Sequence, residues 1–347
     1  MRVWAHVEPH ESPLLLPGRQ PDAPVDDAST LTASDGDDIP ALLADVRERF
    51  DAGRGLTFAD AEPCIDPLLR PDCDMRAWLR EVANACPTPD TRASTRWAAR
   101  AAVTGQWLLC TVLDHPERRR ALGRTLQSTT LDTVERFVTP ASDASIDRLY
   151  RQVLDAGRSL ETDASDARAS VLAMPLSPRA LYQHLCDVGT DDLVLRRARA
   201  HIRDLAPSVA NQSVPVGGAT ILPPTDASAT HARRLVETLD THVRTVRAFA
   251  GWEARLVVSL VNRAARRGLL TRSFMQTVQH GLTGLVEAAA RFEAHHGYRF
   301  TTWAQWWVWA AMDVEGPLFG PGDPRRSRGP VPTDTLPMGR PTDDGPT

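Results

Sequence analysis

The sequence predicts an all-α protein, and three observations carry that prediction. Apolar residues recur at steps of three and four through most of the chain, as amphipathic helices require, while alternating strand-like runs are scarce. Helix-start residues and glycine stops stand at the ends of several of these stripes. The composition, 42% hydrophobic and 24% charged over 347 residues, is globular, with length enough for two domains and a buried core.

Residues 1–37 hold several prolines and more acids (Glu8, Glu11, Asp22, Asp26, Asp27, Asp35, Asp37) than bases (Arg2, Arg19), which reads as a disordered acidic tail. From Asp38 to about Leu205 the pattern is helical. Ile39, Leu42, Leu43, Val46 and Phe50 form the first stripe; Met75, Trp78, Leu79 and Val82 the second. Val103, Trp107, Leu108 and Val112 follow, then Ile146, Leu149, Val153 and Leu154. Thr57 and Thr130 are candidate N-caps. We read residues 38–205 as an amino-terminal helical bundle without a catalytic constellation. His184 and Cys186, two positions apart, cannot face one another on a helix.

Residues 206–230 carry four prolines and paired glycines, and read as a linker. Helical pattern resumes over 231–315. The tail at 316–347 is rich in Gly, Pro and Arg and has too little apolar content to fold alone.

Composition narrows the function. The five cysteines, Cys64, Cys73, Cys86, Cys110 and Cys186, include no C-x-x-C pair, against a zinc site or disulfide framework and for a reducing compartment. Leu14-Leu-Leu16 is too short for a signal-peptide apolar region, and no run reaches the roughly 20 apolar residues that cross a bilayer. The expectation is a cytoplasmic protein that is no enzyme, with no metal, no cofactor and no membrane partner. The formal charge of −4 excludes a uniformly basic nucleic-acid coat but leaves room for a local basic surface. Every cation in the Lys+Arg total is arginine.

Such a surface is visible in the carboxy-terminal module. Seven arginines and one acid, Glu253, lie between Arg244 and Arg272, enough local charge to meet phosphates. One helix is expected from about Ala232 through Arg267, with Leu256, Val257, Leu260, Val261 and Ala264 on one face and Gly268 as its stop. Ser273 with Gln276 forms a capping box for a second helix, striped by Phe274, Val278, Leu282, Leu285, Ala289 and Phe292. His295-His-Gly297 turns the chain, and Thr301 is the expected cap of a third helix. Aromatic residues are 6% of the chain, yet six fall within Gly297–Trp309. One side of the third helix could bury Trp303, Trp307 and Ala310. Trp306 and Trp309 could not both join them without wrapping the helix, so some indole surface is left for a core edge or for stacking bases.

Ala254-Arg-Leu-Val-Val-Ser-Leu260, Arg267-Gly-Leu269, Gly281-Leu-Thr-Gly-Leu285 and Arg291-Phe-Glu293 lead into Gly297-Tyr-Arg-Phe-Thr-Thr-Trp-Ala-Gln-Trp-Trp307. Read in order, these blocks closely resemble region two of the housekeeping-type sigma factors of bacterial RNA polymerase, the sigma-seventy family, over roughly residues 250–312. The resemblance implies a sigma region-two-like domain of three or four helices at 231–315. It implies two partners: RNA polymerase core, through its clamp coiled coil, and the single-stranded non-template strand of the promoter −10 element. By position, core-polymerase contacts would fall to Arg255, Gln276, Gln279 and His280. DNA contacts would fall to Tyr298, Arg299, Phe300, Thr302, Trp303, Trp306 and Trp307, with Trp303 stacking on the flipped adenine. Phe300 and Trp307 are equally candidates for core packing.

The chain departs from the family in ways that matter. Gln276 and His280 stand where acids are usual, and about three residues are inserted within Leu270–Met275. Trp309 and Ala310 replace the Arg and Gln that read the upstream base pair, and a methyl group cannot hydrogen-bond a base edge. The helix-turn-helix that reads the −35 element has no counterpart here. Two functions follow as expectations: a sigma-like initiation protein, or a sigma-derived binding module that partners or regulates core polymerase without initiating.

Overall fold

A computed structural model describes residues 15–16, 39–53, 56–57, 77, 82, 91–131, 134, 145–162, 166–174, 176–187, 196, 200–203, 205–206, 226–292 and 299–313. Most of the 1–37 and 316–347 tails, Tyr298 and the stripe Met75–Leu79, apart from Ala77, lie outside these residues.

The prediction of an all-α fold holds. In chain order the elements are β1 (Leu15–Leu16), α1 (Ile39–Asp51), β2 (Leu56–Thr57), α2 (Thr91–Asp114), α3 (Pro116–Gln127), α4 (Ile146–Glu161), α5 (Ala167–Ala173), α6 (Pro178–Asp187), α7 (Asp226–Trp252), α8 (Ala254–Arg266), α9 (Phe274–Arg291) and α10 (Phe300–Met312). The two short strands pair antiparallel, Leu15 opposite Thr57 and Leu16 opposite Leu56. A two-residue strand is too short to show alternation, and Thr57 serves there in a strand rather than as a helix cap.

Apolar periodicity locates the buried faces well. Val46 and Phe50 of α1, and Val103, Trp107, Leu108 and Val112 of α2, are buried. In α4 the buried face is Leu149, Val153, Ala156, Gly157 and Leu160, while Ile146, counted into that stripe, is 42% exposed at the helix start. Trp107 meets the Phe50 ring edge-on at 4.9 Å, which fixes α1 on α2. Helices α3 and α4 cross at two glycines: a Cβ on Gly123 would lie 2.7 Å from the Gly157 carbonyl oxygen, so only glycine permits the approach.

Helix α7 begins at Asp226, inside the stretch read as linker, and runs 27 residues. It packs along α2 on one side and against α9 on another. One hydrophobic core is therefore continuous from Val46 in α1 to Met312 in α10. A polar relay crosses this core. His242 of α7 places Nδ1 2.8 Å from the Thr104 hydroxyl of α2 and Nε2 2.7 Å from the Tyr182 hydroxyl of α6. Tyr182 in turn reaches the carbonyl of Ala290 in α9 at 3.3 Å. Four helices are thus tied through one buried imidazole.

The single helix expected from Ala232 to Arg267 is instead two, broken at Glu253. Apolar periodicity runs through the break and does not mark it. The cause is a tertiary contact: the Ser94 hydroxyl donates to the Glu253 carboxyl across 159 positions, at a residue with no solvent exposure. Burial pushes the Glu253 pKa up, with the Ser94 hydrogen bond opposing in part.

Candidate nucleic-acid interface

The module that would meet core polymerase and DNA is α8–α9–α10. Helix α8 ends where Gly268 adopts φ of +68°, as expected of a glycine stop. The loop that follows is anchored at the far end of the module. The Thr271 hydroxyl donates to the Asp313 carbonyl at 3.0 Å, and Arg272 pairs with the Asp313 carboxylate at 3.1 Å. Together they tie this loop to the end of α10, where Asp313 is left-handed.

Helix α9 opens with the predicted capping box: the Gln276 backbone N–H donates to Ser273 Oγ, and the Ser273 backbone N–H to the Gln276 side chain, each at 3.3 Å. Gln276 is thereby engaged with its own helix start. Ser273→Ala is expected to lower stability by about 1 kcal/mol, read as a shift in urea midpoint with unchanged slope. Gln276, Gln279, His280 and Thr283 are all exposed, and Gln276 and Thr283 each lie three or four positions from both Gln279 and His280, so three of the four expected core-polymerase residues share one open stripe. Arg255 is not among them. It stands half-buried on α8, its Nε donating to the Val82 carbonyl at 3.4 Å.

Helix α10 begins at Phe300 with Arg299, extended at φ −68° and ψ 138°, in the N-cap position. Thr301, the expected cap, lies in the first turn instead. The helix divides its aromatics between two faces. Phe300 is 2% exposed and sits in a ring cluster with Phe249 at 4.3 Å and Phe292 at 5.1 Å. Ala304, Trp307 and Val308 continue this buried side. Arg299, Thr302, Trp306 and Ala310 occupy the opposite sector at helical spacing, with Trp303 at its edge. Arg299 and Thr302 are exposed; Trp303 and Trp306 are half-buried. The expectation that Ala310 could be buried beside Trp303 and Trp307 fails, since Ala310 is exposed and Trp309 is buried at 6% exposure. The helix does wrap its apolar surface at the carboxy-terminal end.

Trp303 is oriented by two contacts. Its indole N–H donates to the Ala288 carbonyl of α9 at 3.1 Å, and its ring lies 5.9 Å from that of Trp307. Trp307 in turn carries the Arg291 guanidinium 4.6 Å from its ring centroid, and Arg291 is held by Glu287 at 2.7 Å. This chain of Glu287, Arg291, Trp307 and Trp303 is not evident from the sequence, although Glu287 and Arg291 stand four apart, the spacing of a helical ion pair. Phe300 and Trp307 are therefore packed into the core, and the open face of α10 carries Arg299, Thr302, Trp303 and Trp306.

Comparison with known proteins bears on this segment. A stretch of 58 residues is 43% identical to the RNA polymerase sigma factor SigA of Nostoc sp., covering 17% of this chain and 14% of that one. The same identity over the same length relates the chain to SigA1 of Synechococcus elongatus and to SigA of Microcystis aeruginosa. The chain carries a divergent sigma-like segment. No family model matches the chain, and the similarity spans about a seventh of the length of the sigma factors it resembles.

Across the sigma-like segment and the rest of the described residues, no helix is long and apolar enough to cross a membrane. No cluster of three metal-ligating side chains occurs among them. The two described cysteines, Cys110 and Cys186, are buried and free of disulfides, and burial raises the Cys110 thiol to about 11. The buried His184 is held at about 3, chiefly by burial, and has the character of a neutral core residue.

Proposed function

We propose that this protein is a sigma-like transcription factor that binds RNA polymerase core and holds the single-stranded non-template strand of the −10 element, without chemistry of its own. The observation that supports this most is the open face of α10. On it Trp303 and Trp306 offer partly exposed rings beside Arg299 and Thr302, in a segment 43% identical to sigma factors. Indole faces stack on unpaired bases, and a neighbouring guanidinium and hydroxyl suit the phosphates between them. The stripe Gln276, Gln279 and His280 on α9 is the core-polymerase contact, made with neutral groups where charge-assisted bonds would be stronger. Such a protein works in the cytoplasm, where its polymerase is.

A second reading is a sigma-derived module that occupies core polymerase without starting transcription. It is favoured by Ala310, which lies on the same open face as Trp306 but presents only a methyl group, while Trp309 is turned into the core. Strand holding survives on that face; base-pair reading does not.

Two measurements test these readings. Trp303→Ala and Trp306→Ala are each expected to weaken binding of a −10-like single strand by about five- to a hundredfold, the worth of one stacked base. Unchanged affinity in both would remove the stacking assignment. Reconstituted with core polymerase, the protein should give promoter-dependent transcripts; co-purification with core and no transcript would establish the second reading.

A further inference from the structure

Helix α8 buries Ala254, Val257, Leu260, Val261 and Ala264 and turns its other side outward. That outward side lines an open groove of about 650 Å³. Arg255, Ser259, Asn262 and Arg266 follow one another along it at helical spacing, with Arg263 and Arg267 on its flank. From Arg255 to Arg266 the row extends about 16 Å, at 1.5 Å per residue. No acid lines the groove among the described residues. On α8's own side the nearest acid, Glu253, is buried, bonded to Ser94, and biased toward its neutral form; Glu81, next to Val82 in sequence, lies outside the described residues.

We infer that this groove is a second nucleic-acid site, one that takes the sugar–phosphate backbone of a strand without regard to its bases. Guanidinium groups match phosphate oxygens through two parallel hydrogen bonds, and Ser259 and Asn262 supply neutral donors between them. Hydroxyl and amide groups interleaved with arginines are the usual furniture of backbone contact. A protein partner fits less well. Protein interfaces draw their energy from aromatic and large apolar anchors, and the apolar lining here is two valines, Val82 and Val258. The groove also lacks the rings of α10, so it can grip a strand but cannot stack on it. Its existence rests on α8 with Val82 against it, and not on the reading of α10 as a base-stacking face.

The test uses the full chain and two probes of equal length: a single-stranded DNA and an abasic strand that keeps the phosphates but has no bases to stack. The wild type should bind both, with log affinity falling linearly against log salt. Arg263→Gln with Arg266→Gln should weaken both probes about tenfold and make the salt slope shallower by about 1.4, at roughly 0.7 for each phosphate no longer neutralised. Trp306→Ala should weaken the base-bearing strand alone. Arg148→Gln with Arg151→Gln, which removes the same charge from exposed positions on α4, should leave both affinities in place. Equal losses from the α4 pair would overturn the site by reducing it to net charge. So would an unchanged abasic affinity in the α8 pair, or a polyglutamate of matched charge that binds the wild type as tightly as the abasic strand. Arg263 and Arg266 are exposed, and an unaltered thermal midpoint in the double variant keeps the comparison valid.

Discussion

Gly284→Val is expected to detach α10 from α9 and to abolish the fold of the module, and with it the strand binding proposed for α10. These two helices form the most extensive pairing among the described elements. At their crossing, a Cβ on Gly284 would stand 2.5 Å from the Trp307 carbonyl oxygen and 2.7 Å from the Ala311 Cβ. The first obstacle is backbone and cannot rotate away, so α10 itself must move. Alanine would return about 1 kcal/mol of helix propensity, yet overpacking a tight core costs roughly 1–3 kcal/mol and more where backbone must shift. Gly284→Ala should therefore lower stability by about 2 kcal/mol, and valine by more than about 4, a large share of the roughly 5–15 kcal/mol typical of a folded domain. Gly281, one turn earlier, supplies the control. There an added Cβ meets the Val257 Cγ1 at 2.7 Å, a buried β-branched side chain that must shift, although no backbone has to move with it. Gly281→Ala should therefore be milder than Gly284→Ala, costing about 1 kcal/mol once the gain in helix propensity is set against the crowding. Urea unfolding followed by tryptophan emission reads both, and equal effects at the two glycines would contradict this account of the crossing.

The same crossing shows what can be read in the sequence and what cannot. The Gly281–Gly284 spacing is legible as part of a resemblance, but its physical reason, backbone contact with Trp307, exists only once α10 is packed. Periodicity finds the buried stripe of α8 and part of the buried surface of α2 and α9, but understates the latter two because each packs against several neighbours and is buried almost all round over part of its length. It fails at two places where tertiary contacts decide. Glu253 breaks a helix through a partner in α2, and Trp309 is buried although it sits off the stripe of Phe300 and Trp307. Of the candidate site, Arg299, Thr302, Trp303 and Trp306 share an open face. Phe300 and Trp307 are buried beneath it, a placement that the sequence leaves open. The α8 groove is visible there only as a density of arginines, since which of them look outward depends on where α9 and the Val82 segment lie.

Acidification is expected to unfold this protein well above the pH at which most carboxylates titrate. Three histidines, the buried His184 and His242 and the half-buried His231, have folded pKa values held far below the ordinary imidazole value of 6.5: His242 at about 4, and His184 and His231 at about 3. Burial is the leading cause in each, joined by Arg118 at His184 and His231. Between pH 6.5 and these values the unfolded chain binds more protons than the folded one. Stability is thus fully present above about pH 6.5 and falls as pH drops through the window. For His242 alone, the depression from 6.5 to about 4 corresponds to roughly 3 kcal/mol, of which most is lost by about pH 4.5. The neutral ring donates through one nitrogen and accepts through the other, so a doubly protonated ring, which needs two acceptors, would force one of its two hydroxyl partners, Thr104 or Tyr182, to stop donating to it. Glu253 opposes the trend, since its raised pKa favours the folded state at low pH, but one carboxyl cannot balance three imidazoles. Urea midpoints measured from about pH 7.5 to about pH 4.5 should fall steadily below pH 6.5. His242→Gln, which keeps a hydrogen-bonding side chain and loses the titration, should flatten that decline while lowering stability at neutral pH. A wild-type profile that stays level across the acid range, or a variant that declines as steeply, would show that the relay joining α2, α6, α7 and α9 is not what acid attacks.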